Sequence, residues 1–330
     1  MRIIIDSAIP YINGLFEPYA EVLYREGSNF LAEEVRDADA LIIRTRTRCN
    51  AELLRGSRVR HIATATIGFD HIDLDYCRQN GIKVTTAAGC NARGVLHWFG
   101  ALMSHLSGRD GWQPTQKRLG VVGVGNVGRL IKEYAEAWGF EVVCCDPLRQ
   151  IAEDLDFVEL EELLRQCDIV TLHTPLDSST HHMVGAREMA MMKSGALLVN
   201  ASRGEVVDSD ALHNSDLNFA FDVWEHEPNI DKDLLQRAKI ATSHIAGYSL
   251  QGKANGSSMV VADIAQHFDI PLDGWYPDIE KITPRLVSWG EMQSVIMRHM
   301  DIEAESRYLK DHPSEFEHLR NNYNYRGEIF

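Results

Sequence analysis

Three polar side chains in the second half of the chain are of types that carry out acid–base chemistry on a small anion. They are Arg203, Glu227 and His244, and each follows an apolar segment of strand length. Histidine exchanges a proton near neutral pH, and a neighbouring carboxylate can fix its tautomer and stabilise the imidazolium form. Arginine can bind a carboxylate and polarise a carbonyl. Together the three suit hydride transfer from a carbon that carries a hydroxyl group.

Each residue alone also has a structural explanation, which the sequence leaves open. Arg203 stands next to Gly204, so it can be a surface arginine beside a turn. Glu227 can be a solvated carboxylate after a strand, and a lone histidine such as His244 is more often structural than catalytic. Their combination favours the catalytic interpretation, because open α/β sheets bind ligands at the carboxyl ends of their strands.

A glycine-rich loop predicts a dinucleotide site. The loop consists of Gly123, Val124, Gly125, Asn126, Val127 and Gly128. It follows an apolar strand and opens a helix, so its glycines permit a tight turn, close approach of a pyrophosphate and close helix–strand packing. The N-terminus of the helix offers N–H groups and a partial positive charge to the phosphates.

Asp146 indicates which dinucleotide binds. It ends the next strand, eighteen residues after Gly128, where a carboxylate can accept hydrogen bonds from the hydroxyls of the adenosine ribose. The same carboxylate would repel the 2′-phosphate of NADP, so the predicted cofactor is NAD. Arg149 follows three residues later and slightly weakens that choice.

Apolar runs of strand length alternate with segments of helical period around these residues, which predicts parallel sheets with crossover helices. In residues 1–92 we predict the strands Arg2–Ile5, Ala40–Arg44, His61–Thr64 and Lys83–Thr85, and helical stretches at Tyr11–Glu26 and Ala51–Gly56. In residues 93–249 we predict helices at Gly94–Leu106 and from the glycine loop to Trp138, and the strands Arg118–Val122, Glu141–Cys145, Ile169–His173, Ala196–Asn200, Phe219–Val223 and Ala241–Thr242.

The expected fold class is α/β, with two doubly wound Rossmann-like domains and a small C-terminal segment. A long helix at Gly252–His267 is expected to cross back to the first region. Residues 1–92 and 250–281 would then form an outer substrate (lid) domain, and residues 93–249 a central NAD domain. The tail, residues 282–330, is aromatic, charged and mostly helical in pattern, and we expect it to be a small α+β segment.

The composition argues against several functional classes. The chain has 330 residues and a net charge of −15 without a dense cluster of Lys and Arg, so no nucleic-acid partner is predicted. It has no run of about eighteen apolar residues, so no membrane span is predicted. Met1–Asp6 is typical of a buried strand rather than a signal peptide. Six cysteines without a CxxC pair favour a reducing cytoplasm, and no metal site is predicted.

The order Arg203, Glu227, His244 resembles the D-isomer-specific 2-hydroxyacid dehydrogenases. Three further segments carry this resemblance: Thr66-Ile-Gly68-Phe-Asp70-His-Ile-Asp73, His173-Thr-Pro175-Leu and Asn200-Ala-Ser-Arg-Gly-Glu-Val-Val-Asp208. The resemblance covers about residues 36–267. It implies an NAD-dependent dehydrogenase with His244 as acid/base, Glu227 as its partner and Arg203 as the substrate clamp. The cofactor contacts that it implies are Asp146, Thr174, Ala201, Ser202, Asp222 and Gly247. The substrate contacts that it implies are Thr45, Thr66 and Tyr248.

Two segments are similar to those members of the family that act on a four-carbon phosphorylated acid. These segments are Ser243–Lys253 and, in the tail, Phe316–Tyr323, which is similar to a dimerisation domain and implies a homodimer. Arg44 and Arg46 flank Thr45 and offer the positive charge that a phosphate needs on an acidic protein, although a solvated loop remains the alternative. Two other functions stay open: another D-2-hydroxyacid dehydrogenase, such as 3-phosphoglycerate dehydrogenase, and an NAD(H)-sensing binding protein of the same fold.

Overall fold

The computed structural model describes residues 1–153 and 156–330, which fold into two compact α/β units. The first unit consists of Met1–Asn91 and Leu250–Lys281, and the second of Ala92–Ser249 and Ile282–Phe330. Each unit contains one parallel sheet with helices, so the predicted class of two doubly wound domains is confirmed.

The first unit begins with five strands and three short helices. The strands are β1 (Arg2–Asp6), β2 (Glu21–Arg25), β3 (Ala40–Ile43), β4 (His61–Thr64) and β5 (Lys83–Thr86). The helices are α1 (Ala32–Val35), α2 (Ala51–Leu54) and α3 (Leu74–Gln79). The strand order is β2-β1-β3-β4-β5, and all pairs are parallel.

Apolar side chains cover both faces of this sheet. Ile4 and Leu41 belong to the core on one face, whereas Ile3, Ile5 and Ile42 belong to the core on the other. Strands that are buried on both faces have nearly continuous apolar sequences. This is why the sequence located β1, β3, β4 and β5 to within a residue.

The helix predicted at Tyr11–Glu26 is wrong. The structure has turns there, followed by the edge strand β2, whose residues pair in parallel with β1. Pro18 disfavours a continuous helix, and Gly14 adopts a φ of 81°. Because an edge strand is only half-buried, β2 lacks the apolar run that identifies the inner strands.

Up to Ser249, the described residues of the second unit form six strands and seven helices. The strands are β6 (Arg118–Val122), β7 (Glu141–Cys145), β8 (Ile169–Leu172), β9 (Leu197–Asn200), β10 (Asn218–Phe221) and β11 (Ile240–Ala241). The helices are α4 (Ala92–Asp110), α5 (Asn126–Trp138), α6 (Pro147–Ala152), α7 (Leu160–Gln166), α8 (Ala186–Met189), α9 (Ser209–His213) and α10 (Lys232–Arg237).

The order of strands in the second sheet places the polar loops side by side. The order is β11-β10-β9-β8-β6-β7, and all pairs are parallel. The chain goes from β6 to β7 on one side and then returns to β8 on the other. Parallel sheets of this kind bind ligands beyond their carboxyl ends at such a switch point. The loops after β9, β10 and β11 therefore emerge at the same edge of the sheet as the glycine loop after β6.

The chain then returns to the first unit as a long helix, α11 (Leu250–Phe268), which packs on β4 and β5. Val260 and Ile264 of α11 share a core with Ile5 and Ile42. The hydroxyl of Ser257 donates to the carbonyl oxygen of Pro10 at 2.7 Å.

The tail, residues 282–330, packs on the rest of the second unit. It forms α12 (Trp289–His299), α13 (Ile302–Asp311) and α14 (Phe316–Asn321), with α12 and α13 against α4. Beyond α14 the described tail contributes an isolated bridge between Ser249 and Arg326, not a sheet. We expected an α+β tail, and its described residues form three α-helices and this single bridge. No helix in the described ranges is long and apolar enough to cross a bilayer.

Candidate active site

The loops after β10 and β11 bring a histidine and a glutamate into contact. Nδ1 of His244 lies 2.7 Å from Oε2 of Glu227. Both side chains are largely buried, with 26% and 16% of their surfaces exposed. With Glu227 accepting from Nδ1–H, the other ring nitrogen, Nε2, is left to exchange a proton with a substrate. The structure thus brings together the predicted acid/base and its partner.

Further contacts hold Glu227 in this orientation and keep it ionised. Its Oε1 accepts a hydrogen bond from the backbone N–H of Trp224 at 2.9 Å. Burial by itself raises the pKa of the Glu227 carboxyl, but the adjacent His244 and Arg320 outweigh that effect and hold the pKa below its ordinary value. A carboxylate that is already ionised can stabilise the imidazolium as soon as it forms.

The turn that carries His244 is supported by Asp222, which is 1% exposed. Its carboxylate accepts from the backbone N–H groups of Ile245 at 2.8 Å and Ala246 at 2.9 Å, and from the hydroxyl of Thr242 at 2.5 Å. The carbonyl oxygen of Asp222 also accepts from the N–H of His244 at 2.7 Å. The sequence predicts a cofactor contact for Asp222, whereas these bonds give it a positioning role for the histidine.

The loop after β9 carries Arg203 and is held by Asn200. Oδ1 of Asn200 accepts from the N–H of Ser202 at 3.0 Å and from its hydroxyl at 2.8 Å, while Nδ2 donates to the carbonyl of Arg203 at 2.8 Å. A Cβ on Gly204 would lie 2.0 Å from the backbone of Trp224. The Arg203 loop therefore packs directly against the loop of Glu227, and both are fixed by backbone contacts.

The glycine loop between β6 and α5 has the predicted geometry. Gly123 adopts a φ of 83°, and a Cβ on Gly128 would lie 1.9 Å from the carbonyl oxygen of Gly123. A Cβ on Gly125 would meet no atom within 4 Å. Gly123 and Gly128 are thus required by the backbone geometry of the loop, whereas Gly125 leaves room for another molecule.

Comparison with known proteins decides the family. A sequence model described as D-isomer specific 2-hydroxyacid dehydrogenase, catalytic domain, matches residues 3–97. A second, described as D-isomer specific 2-hydroxyacid dehydrogenase, NAD binding domain, matches residues 97–246. The chain belongs to the D-isomer specific 2-hydroxyacid dehydrogenase family. The predicted cofactor, NAD, and the predicted enzyme class are thereby confirmed.

Similar proteins cover nearly the whole of this dehydrogenase. An erythronate-4-phosphate dehydrogenase of Bacteroides fragilis (strain YCH46) is 42% identical over 344 aligned residues, which cover 99% of this chain and 97% of the relative. One from Ectopseudomonas mendocina is 43% identical and covers 82% of this chain and 73% of its own. A D-lactate dehydrogenase of Aquifex aeolicus, solved with NAD and lactic acid, is 25% identical with a TM-score of 0.68, covering 84% of this chain and all of its own.

The residues beside the glycine loop of the dehydrogenase fit NAD. Asp146 accepts from the N–H of Val124 at 2.8 Å and from the N–H of Arg149 at 3.1 Å, so its carboxylate lies at the rim of the loop. The guanidinium of Arg149 is paired with Glu153 at 2.9 Å, which offsets the charge that would favour NADP. Among the described residues, the buried hydroxyl of Thr174 has no hydrogen-bond partner. An unpartnered hydroxyl here and an open space at Gly125 are what a dinucleotide site requires.

Two other predicted cofactor residues, Ala201 and Gly247, belong to loops already described. Ala201 lies in the Arg203 loop, and Gly247 follows the His244 turn, where its backbone lies 3.0 Å from the position of a Cβ on Gly94 of α4. Both loops emerge at the same edge of the sheet as Gly123. Ser202 lies in the Arg203 loop as well, and the cofactor contacts of all three residues stay predictions.

The predicted substrate contacts are divided between the two units. Arg44 and Thr45 follow β3 and Thr66 follows β4 in the first unit, whereas Tyr248 lies in the second. Nε of Arg44 lies 3.1 Å from Oδ2 of the fully buried Asp6. This guanidinium is therefore held by a carboxylate at the carboxyl end of the sheet, which fixes its place in the loop.

Three residues of this site were missed by the sequence analysis. Asn200 and Thr242 orient the catalytic loops, and a polar residue at the end of a buried strand was the signal that could have identified them. Arg320 of the tail lies 3.5 Å from Glu227. No local sequence pattern indicates that contact, because it joins residues 93 positions apart.

We expect Gly125→Ala to weaken NAD binding about tenfold or more, which corresponds to about 1.4 kcal/mol, with at most a small change in melting temperature. The added methyl group would contact no protein atom but would enter the space for the pyrophosphate. Fluorescence titration with NAD and thermal unfolding measure the two quantities. Gly128→Ala is the matched control, since its methyl group meets the Gly123 carbonyl and should lower the melting temperature. Unchanged NAD affinity in Gly125→Ala contradicts the assignment.

Proposed function

We propose that this dehydrogenase oxidises 4-phospho-D-erythronate to 2-oxo-3-hydroxy-4-phosphobutanoate. This reaction belongs to the biosynthesis of pyridoxal 5′-phosphate (vitamin B6). The observation that carries the proposal is the 42% identity to an erythronate-4-phosphate dehydrogenase over 99% of the chain. The His244–Glu227 pair and the NAD site supply the chemistry that this oxidation needs. The resemblance of Ser243–Lys253 to the enzymes for a four-carbon phosphorylated acid supports the same substrate.

The proposed reaction gives a role to each of three side chains. His244 accepts the proton of the C2 hydroxyl through Nε2, while Glu227 stabilises the resulting imidazolium. NAD, when bound, would supply the hydride acceptor, so that breaking of the C2–H bond would leave C2 as a carbonyl carbon. Arg203 binds the substrate carboxylate and polarises the forming carbonyl. The loops that hold these residues are fixed by buried hydrogen bonds, so little reorganisation is needed.

The remaining contacts are proposed on the same basis. Substrate would contact Arg44, Thr45, Thr66 and Tyr248. Cofactor would contact Gly123, Gly125, Asn126, Val127, Gly128, Asp146, Thr174, Ala201, Ser202, Asp222 and Gly247. The first unit would act as the substrate domain and the second as the NAD domain, so substrate binding would involve loops of both.

The proposed enzyme is a cytoplasmic homodimer. Six buried cysteine side chains suit a reducing compartment, and cell fractionation tests this location. The tail supports dimerisation, because it carries exposed apolar side chains at Leu286, Met297 and Tyr308 and resembles a dimerisation domain in its sequence.

A turnover screen tests the substrate. With NAD present, we expect 4-phospho-D-erythronate to give a kcat/KM at least about tenfold above those of D-glycerate and 3-phosphoglycerate, a difference worth about 1.4 kcal/mol. Product is followed by NADH absorbance, with bound cofactor retained during purification. Equal or higher activity on either comparison substrate shows that the substrate proposal is wrong.

We expect His244→Ala to lower kcat by about two to four decades, the range for a general acid/base. NAD affinity should stay unchanged, because the cofactor loop is separate. His213→Ala is the matched control, since that histidine is 39% exposed and pairs with Asp231 away from the site. Full activity in His244→Ala would rule out the mechanism.

Light scattering after size exclusion should give about twice the chain mass of 37.2 kDa, because the tail is expected to join two chains. Repeating the mass measurement at nanomolar concentration shows whether the association is weak, because a weak dimer dissociates on dilution. A mass equal to one chain at micromolar concentration contradicts the homodimer.

A further inference from the structure

Arg320 is carried into the second unit by the short helix α14. Phe316, at the start of that helix, is 1% exposed and belongs to a core that includes Trp224, while Leu319 packs against the same core. Only 17% of the Arg320 side chain is exposed. The helix is therefore anchored by apolar contacts on the side of Trp224, and its arginine is largely enclosed.

The guanidinium of Arg320 lies beside the catalytic pair. Its Nη1 is 3.5 Å from Oε2 of Glu227, the same oxygen that accepts from Nδ1 of His244. Its Nε is 3.4 Å from the hydroxyl of Tyr248. One carboxylate oxygen thus lies between an imidazole and a guanidinium, and the same guanidinium reaches a predicted substrate contact.

Arg320 lies outside both segments that match the family's models, residues 3–97 and 97–246. We propose that Arg320 is a positioning residue of the hydride-transfer site, which sets the charge and orientation of Glu227 and the position of Tyr248. The proposal deepens the proposed function, on which it rests. It assigns the tail a part in the reaction in addition to its expected part in the dimer.

The physical argument concerns the two cations that share Glu227. Arginine is charged at all accessible pH values, whereas His244 is charged only after it takes up a proton. Burial raises the pKa of Glu227, and the permanent charge of Arg320 adds to the larger effect of His244 in holding that pKa below its ordinary value. It also offsets part of the attraction between Glu227 and the imidazolium, so the histidine can lose its proton more readily. A base for a hydroxyl group must be unprotonated when substrate arrives.

The groups that interact with Arg320 in the described part of its unit include two carboxyl groups and one phenol. They are Glu227 on the loop after β10, Tyr248 after the His244 turn, and Asp222 beneath that turn. The pKa of Arg320 is raised above its ordinary value because these groups together outweigh the burial that lowers it. Since Glu227 and Asp222 are both acidic, the permanent positive charge of the guanidinium offsets part of their negative charge.

A second tail arginine supports the same turn. Arg326, which is 7% exposed, donates from Nη1 to the carbonyl of Ile245 at 3.2 Å and from Nη2 to the carbonyl of Ala246. These are the two residues directly after His244. The tail thus contacts the catalytic loops at two independent places, which argues against a chance approach of Arg320.

Three variants of the full-length holoenzyme test the proposal. Arg320→Gln removes the charge, Arg320→Lys keeps the charge but not the planar group, and Arg307→Gln removes an exposed tail charge that pairs with Glu303. For each we would measure kcat and kcat/KM between about pH 5 and 10, NAD affinity and the melting temperature.

For Arg320→Gln we expect kcat to fall about ten- to a hundredfold through misplaced catalytic groups. The acidic limb of the kcat/KM profile should move to higher pH, because loss of a nearby positive charge favours the protonated imidazole. In Arg320→Lys the acidic limb should return to its position in the native enzyme. NAD affinity should stay unchanged in both variants. A limb that does not move in Arg320→Gln, or that moves equally in Arg307→Gln, overturns the proposal.

A readout without turnover separates this proposal from the substrate assignment. The imidazole titration of His244 can be followed by NMR with labelled histidine, using His244→Ala to identify its signal. If the native protein fails to oxidise 4-phospho-D-erythronate, the proposed function fails while this titration still tests Arg320. We expect the titration midpoint to rise in Arg320→Gln, and an unchanged midpoint refutes the charge argument.

Discussion

The site depends on a single buried carboxylate, Asp222, and on the short turn that it holds. His244 adopts a left-handed φ of 59°, which costs a residue with a side chain about 1–3 kcal/mol. The carboxylate of Asp222 accepts hydrogen bonds from the N–H groups of the two residues after His244, and the guanidinium of Arg326 donates to the carbonyl oxygens of the same two residues. Each of these groups would cost about 1–3 kcal/mol if it were buried without a partner. The histidine therefore points where it does because charged side chains satisfy the backbone on both sides of its turn.

The parallel sheet brings the loops of the other two proposed catalytic residues to the edge where this turn lies. Arg203, Glu227 and His244 follow three successive neighbours, β9, β10 and β11, whose carboxyl ends share one edge. A Cβ on Gly204 would collide with the backbone of Trp224, so the first two loops touch without an intervening side chain. The glycine loop follows β6 at the same edge. Cofactor and acid/base chemistry thus meet because of strand order, while the backbone of each loop is fixed by its own hydrogen bonds.

Much of this arrangement follows from the sequence, since strands buried on both faces and a glycine loop before a helix leave strong local patterns. The strand β2 could not be identified in this way, because an edge position leaves it half-buried and without an apolar run. Arg203, Glu227 and His244 were predicted by combining chemistry with strand ends, and the structure places Glu227 against His244. Arg320 and Arg326 were missed because their contacts depend on the packing of a distant tail, which no local pattern encodes.

The contact between Arg326 and the His244 turn also affects the order in which the enzyme can be assembled. Arg326 is made 81 residues after Ile245, whose carbonyl it binds. At about 5–20 residues per second, translation takes roughly 4–16 s to cover that distance. During this interval every strand of both sheets has already been synthesised, yet the turn lacks one of its two supports. The turn that holds His244 would thus receive its second support only after the tail has been synthesised and has folded onto it.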